Sequence, residues 1–236
     1  MQKMQSIADR WKRIEHEVQD AALSCGRNPH DITIVAVSKM HSLEYVQQAY
    51  DAGARVFGEN YAQEFRDKIQ ESQSIHFIPE WHFIGALQSN KVKYVIPHAA
   101  LIHSCFSVSV ADEIQRLSKK LDMITPVLVQ VNTSGETSKS GIEPDRIDEF
   151  MEQLQGYDNI KPRGLMTIPT ATDDDMQLTK EFTVLRTIHE RLKQTCEHPN
   201  DWNILSMGMS DDFNLAIREG ATHVRIGTAI FGERNQ

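Results

Sequence analysis

Lys39 follows the apolar, β-branched run Ile32-Thr33-Ile34-Val35-Ala36-Val37 by two residues, so its amine stands at the rim of a buried strand. An ammonium there is either rescued by solvent and an acid such as Glu59, or partly desolvated and moved toward nucleophilic use. Two later segments supply an anion cradle, Met207-Gly208-Met209-Ser210 and Ile226-Gly227-Thr228. Gly208 and Gly227 admit close approach of backbone N–H groups, and Ser210 and Thr228 can donate hydroxyls to phosphate oxygens. Ser210 or Asp211 is equally suited to capping the next helix, and Asp211 and Asp212 would oppose an anion. Arg225 lies two residues before Gly227, on the same strand face, and adds a permanent cation. An amine, a phosphate cradle and a partner for a ring nitrogen together match pyridoxal 5′-phosphate, an aromatic aldehyde carrying a phosphate. An arginine opposite that nitrogen keeps it unprotonated and restricts carbanion chemistry.

These residues need elements that bring them to one place. Met4, Ile7, Trp11, Ile14, Val18 and Ala21 recur at steps of three and four, the pattern of an amphipathic helix. Strand-sized runs follow at 32–37, 54–58, 81–85, 100–104, 126–132, 163–168, 203–207 and 222–227. Helical stretches separate them. Ser42 can cap one with Leu43, Val46 and Tyr50 inward, ending at Gly53, and others surround 61–69 and 89–96, the latter stopped by Pro97. Further inward sets are Val110, Ile114, Leu117 and Leu121; Ile147, Phe150, Met151 and Leu154; Phe182, Leu185, Ile188 and Leu192; and Phe213, Ala216 and Ile217.

Eight strands alternating with helices in 236 residues predict an α/β fold, a single (β/α)8 TIM barrel of about 250 residues in its usual form. The expected domain is 1–236, with 1–30 as an N-terminal helix packed on the barrel. In such a barrel the strand C-termini share one mouth, so Lys39, Glu59, Asn60, His82, Gly85, His103, Ser104, Asn132, Thr167, Ser206 and Arg225 are the informative polar positions. An open dinucleotide-binding sheet is disfavoured, because the first strand-to-helix turn, Val37-Ser38-Lys39-Met40-His41-Ser42, has no glycine.

Composition narrows the function classes. Lys plus Arg number 25 against 33 Asp plus Glu, a net charge of −8, and 40% of residues are apolar. An acidic surface with no basic patch argues against nucleic acid and anionic lipid. No apolar run approaches the ~20 residues of a membrane span, and the acidic N-terminal stretch is unlike an export signal. Cys25, Cys105 and Cys196 form no CxxC and read as reduced cytoplasmic thiols. The ten histidines form no HExxH or HxH, and His82, His98 and His103 read as surface or core-edge groups rather than metal ligands. Asp173-Asp174-Asp175 reads as a helix start.

The motifs Val37-Ser38-Lys39, Phe57-Gly58-Glu59-Asn60-Tyr61 and 81–91 (WHFIGALQSNK) occur in order. Arg163-Gly164-Leu165-Met166, Leu205-Ser206-Met207-Gly208-Met209-Ser210 and 224–232 (VRIGTAIFG) follow them. Together they closely resemble the pyridoxal phosphate homeostasis protein family over nearly the whole chain. The resemblance implies a fold-type III barrel like the N-terminal domain of alanine racemase, with pyridoxal 5′-phosphate held as a Schiff base on Lys39. It further implies phosphate contacts from Ser206, Ser210, Gly227 and Thr228, a ring-nitrogen contact from Arg225, and Asn60 and Met207 lining the cofactor. It places the loop 133–141 over the mouth, where Lys139 is a candidate for a second phosphate contact.

The implied role is cofactor homeostasis: binding the cofactor and supplying it to other enzymes through transient contact with their apo forms, with no established catalysis. The alternative is an amino-acid racemase-like enzyme. A racemase of this class draws a second acid or base from an additional domain and a partner subunit. The barrel uses up this chain, which favours carriage over stereoinversion and a monomer over an oligomer. An interaction protein with an empty barrel is the third reading.

Overall fold

The computed structural model describes residues 5–75, 77–196 and 198–233. Helix α1 (Ile7–Ser24) opens on a reciprocal cap, in which Asp9 N–H donates to Ser6 Oγ at 3.1 Å and Ser6 N–H donates to the Asp9 carboxylate. Its buried stripe is Ile7, Trp11, Ile14, Val18 and Ala22. The expected Met4 lies outside the described residues, and Ala22, one helical turn beyond Val18, takes the fully buried place expected for Ala21.

Eight parallel strands then close on themselves: β1 (Thr33–Val37), β2 (Val56–Glu59), β3 (Glu80–Phe83), β4 (Leu101–Cys105), β5 (Thr125–Gln130), β6 (Ile160–Met166), β7 (Ile204–Ser206) and β8 (His223–Ile226). The last pairs with the first, Val35 opposite Arg225 and Ala36 opposite Ile226. Each expected strand is present, with ends displaced by at most three residues. The crossovers carry α2 (Leu43–Asp51), α3 (Ala62–Ser74), α4 (Val108–Lys120), α5 (Ile147–Gln155), α6 (Asp175–Thr195), α7 (Phe213–Arg218) and, after β8, α8 (Thr228–Phe231). The turn of helix expected at 89–96 is a 3-10 run, Ser89–Tyr94. Leu121 is half-exposed rather than inward, because it is the C-cap of α4, past the last turn whose spacing predicted it. Asp174 caps α6, its carboxylate accepting from the N–H groups of Met176 and Gln177.

Two kinds of core result. Outside the barrel, residues such as Phe57, Phe65, Phe83, Ile114, Phe182 and Val224 pack strands against helices in one continuous cluster. Full burial of each such side chain contributes roughly 1.5–3 kcal/mol. Inside, the apolar filling is split in two: Val35, Val37 and Ile84 on one side, Leu101, Leu128 and Met166 on the other. The arginines of the N-terminal region fasten the seam where the chain ends. Arg10 Nε donates to Ile230 O at 2.6 Å and its Nη2 to Phe231 O, while Arg27 Nη1 donates to Ile217 O and Ala221 O. They satisfy orphan carbonyls at the ends of α8 and α7. Among the described residues all three cysteines are free, and no helix is long and apolar enough to cross a membrane.

Candidate functional site

Lys39 stands two residues beyond β1, in a turn at the barrel mouth. Continuing the pairing of Val37 with Gly58 by two residues sets Lys39 level with Asn60. The backbone on both sides of Lys39 is fixed by one buried cluster. Lys68 Nζ, on α3, donates to Ser38 O at 2.7 Å, to Glu59 Oε1 at 2.6 Å and to Glu64 Oε1 at 2.7 Å. Ser38 Oγ donates to the same Glu59 oxygen at 2.7 Å, and Glu64 accepts from Met40 N–H. Met40 adopts φ +63°, a left-handed turn that this grip stabilises.

Glu59 is fully buried, and that burial pushes its carboxyl up to about 7, against the pull of Lys68. Its Oε2 and the Oδ1 of Asn60 are buried without a partner among the described residues. Asn60 sits where it does because residue 85 is glycine: any Cβ there would collide with the Asn60 backbone.

On the other side of the mouth, Arg225 is buried in the barrel. Its Nη1 donates to Ser206 Oγ at 2.8 Å and its Nη2 to Thr167 O at 2.7 Å. No carboxylate lies within ion-pair distance of it among the described residues, and burial lowers its pKa to about 10, with Asp212 opposing that shift. Ser206 Oγ also meets His103 Nδ1 at 3.0 Å, His103 Nε2 meets His82 Nδ1 at 3.0 Å, and His82 Nε2 meets Glu80 Oε1 at 2.9 Å. His82 and His103 are therefore buried in the barrel interior, which corrects the expectation that they are surface or core-edge groups. Trp81 and Phe83 alternate with His82 and face the helices, so His82 points to the barrel axis. Burial, His82, His223 and Arg225 hold His103 well below the usual histidine pKa.

The loop after β7 is tied to strand β8 by Arg225 N–H donating to Gly208 O at 2.9 Å. Gly208 has φ +92°, and a Cβ on it would lie 2.6 Å from Ala216 Cβ. Met207 is fully buried and Ser210 partly so. Asp212 does not face outward: its carboxylate turns back to accept from Met209 N–H. Only Asp211 is exposed there. Gly227 lies against β1, a Cβ on it being 3.3 Å from Val37, and with Thr228 it opens α8, whose first N–H groups have no intrahelical acceptor. His41, two residues past Lys39, stacks on Phe231 of α8 with ring centroids 5.2 Å apart, which ties the lysine turn to this loop.

The structure thus puts Lys39 and Asn60 on one side of the mouth and Ser206, Met207, Ser210, Arg225, Gly227 and Thr228 on the adjoining strands and loops, as barrel closure requires. Sequence reasoning missed Lys68, Glu64 and the hydrogen-bonded chain of Ser206, His103 and His82 behind Arg225. The Glu64–Lys68 spacing of four was the available signal for the first. Lys139 is held by Pro169 O at 2.7 Å and Glu136 at 2.8 Å.

These residues fit a phosphate-bearing aromatic aldehyde on two independent observations. The mouth holds a buried polar atom on Asn60 without a partner, level with the lysine, and a buried cation that forms no ion pair among the described residues. Comparison with known proteins agrees. The chain matches the family model described as alanine racemase, N-terminal domain, over residues 11–235. It is 39% identical over 233 residues to the pyridoxal phosphate homeostasis protein of Aquifex aeolicus, covering 97% of this chain and 99% of that protein. It is 42% identical over 237 residues to the protein of the same name from Vibrio cholerae, covering 98% of each. Among solved structures, PipY of Synechococcus elongatus with PLP bound superimposes with a TM-score of 0.82 at 31% identity, over 96% of this chain and 100% of that one. The chain therefore belongs to the pyridoxal phosphate homeostasis protein family, within the group built on the alanine racemase N-terminal domain.

Proposed function

We propose that this chain binds pyridoxal 5′-phosphate at the barrel mouth, as a Schiff base on Lys39, and supplies it to other enzymes. The observation that carries the reading is the convergence of Lys39, Arg225 and the Ser210 and Gly227-Thr228 loops on one mouth whose backbone is clamped by Lys68. The name of its relatives and the PLP-bound PipY structure support the choice of cofactor.

Lys39 would hold the cofactor through its amine, the nucleophile that an aldehyde carbon at the mouth would meet. Arg225 donates to the ring nitrogen and, by its charge, keeps that nitrogen unprotonated. Ser210, Gly227 and Thr228 would hold the phosphate and Asn60 would line the ring, while Ser206, whose hydroxyl is engaged with His103, would bear on the ring through Arg225, and Met207, buried in the outer core, would support the loop from behind. When bound, the cofactor supplies an electrophilic carbon and a phosphate handle. The residues around it hold that carbon without a strong electron sink, which suits storage and release over turnover.

We place this activity in the cytoplasm and assign it to a monomer, a reading supported by the three free thiols and by a site assembled from the loops of one chain. In the corresponding test the loaded protein, freed of excess cofactor, is mixed with the apo form of a pyridoxal phosphate-dependent enzyme. Recovery of that enzyme's activity faster than spontaneous dissociation of the cofactor supports supply. Recovery at the spontaneous rate refutes it.

A further inference from the structure

The interior of a barrel of this kind is ordinarily packed with Val, Ile and Leu. Here a polar column separates the two apolar clusters: Glu80, His82, His103, Ser206 and Arg225, with His223 alongside. His223 has its ring centroid 6.0 Å from His82 and 6.2 Å from His103. Among the described residues these groups form no cluster suited to a metal ion. Burying them carries a desolvation cost that an apolar filling of the same volume would avoid, so packing alone does not account for them.

The hydrogen bonds of the column take a single direction, set from the Glu80 end and compatible with the Arg225 end. Arg225 has only donors, so Ser206 Oγ accepts from it. At the other end the Glu80 carboxylate, held below the usual carboxylate range chiefly by its bond to His82, accepts from His82 Nε2–H. In the neutral ring His82 Nδ1 is then an acceptor, so His103 Nε2–H donates to it. That leaves His103 Nδ1 to accept from the Ser206 hydroxyl. Every donor points from the guanidinium at the mouth toward the carboxylate at the floor, where the Glu80 side chain is 54% exposed. Bonds aligned in this way polarise one another, and in a buried setting the effect is not lost to water.

We propose that His82 and His103 are positioning residues for Arg225. With Ser206 they form a one-way relay that couples the guanidinium at the cofactor ring to the charge of Glu80 on the opposite face of the barrel. The relay holds Ser206 Oγ as an acceptor toward Arg225 and so fixes which guanidinium hydrogens remain for the ring nitrogen. It also makes Glu80, which stands at the floor, a remote determinant of the bound cofactor's electronic state. This inference rests on the reading of the mouth as a pyridoxal phosphate site.

The test has one arm without cofactor and one with it. In cofactor-free protein labelled with 15N-histidine, the relay predicts the Nε2–H tautomer for both His82 and His103. It also predicts that Glu80→Gln, an exposed and fold-tolerant change, moves the ring resonances of His103 as well as those of His82. In loaded protein, Glu80→Gln is expected to shift the visible absorption maximum and speed cofactor loss, whereas Glu190→Gln, a surface change on α6, shifts neither. An Nδ1–H tautomer at His103, or His103 resonances unmoved by Glu80→Gln, overturns the relay. An unmoved spectrum overturns its reach to the cofactor. Should the wild-type protein take up no cofactor, the proposed function fails, and the imidazole resonances still decide the relay.

Discussion

Lys68 Nζ donates to the carbonyl oxygen of Ser38 at 2.7 Å, and so grips the backbone one residue before Lys39. The same ammonium joins two glutamates, one buried beneath the mouth and one bonded to Met40 N–H just after the lysine. A residue on α3 thereby sets the position of an amine on the turn after β1.

Removing that ammonium leaves Glu59 buried without its cation. Lys68→Met is expected to cost about 3–5 kcal/mol in urea unfolding. The double change Lys68→Met with Glu59→Leu is expected to cost less than Lys68→Met alone, because no orphaned charge remains. Equal losses would show that the clamp contributes through packing only.

Glu59 also gives a signed pH dependence. Its folded pKa, raised to about 7 by burial, exceeds its unfolded value, so between pH ~4.5 and ~7 the folded state holds more of its proton. Its contribution to stability is present below that window and is lost as pH rises through it. Glu59→Gln removes the titration, so the melting temperature of the variant minus that of the wild type should climb from pH 4.5 to 7 and then level off. A difference that stays flat across the window contradicts the assignment.

The close approach behind Asn60 predicts a steric effect. Gly85→Ala forces its methyl into the Asn60 backbone and should destabilise the protein by about 3 kcal/mol, read by thermal or urea unfolding. Loading with pyridoxal phosphate should weaken as well, since Asn60 must move. A variant of native stability would show that the two loops are not packed so tightly.

Much of this was legible in the chain. Runs such as Ile32 to Val37 announce strands covered on both sides, and the loops around Gly208 and Gly227 carry their backbone requirements in their composition. The phase of the polar residues was not legible. In Trp81-His82-Phe83 the alternation sets His82 on the face opposite Trp81 and Phe83, and only closure of the barrel turns that face into a buried axis shared with His103 and Arg225. Lys68 looks like half of an ordinary surface pair with Glu64, and only the fold reveals Glu59 beneath it. Helix α8, four residues long, is too short to show a period.

The N-terminal helix predicts a distant effect on the mouth. Arg10 caps the last carbonyls of α8, the helix that Gly227 and Thr228 open. Arg10→Ala should lower stability by about 2 kcal/mol, the scale of hydrogen bonds from a charged donor, and should weaken phosphate-dependent cofactor binding. Parallel titrations with pyridoxal phosphate and with pyridoxal, which lacks the phosphate, read this out. A weakening equal for both ligands would contradict a role through α8.

Covalent attachment at Lys39 is tested most directly by incubating the protein with pyridoxal 5′-phosphate, reducing it with borohydride and mapping the modified peptide. The prediction is a visible chromophore lost on reduction, with the cofactor's mass fixed on the peptide containing Lys39 and absent from a Lys39→Ala variant. Attachment to another lysine, or a Lys39→Ala variant with unchanged affinity and spectrum, would contradict it.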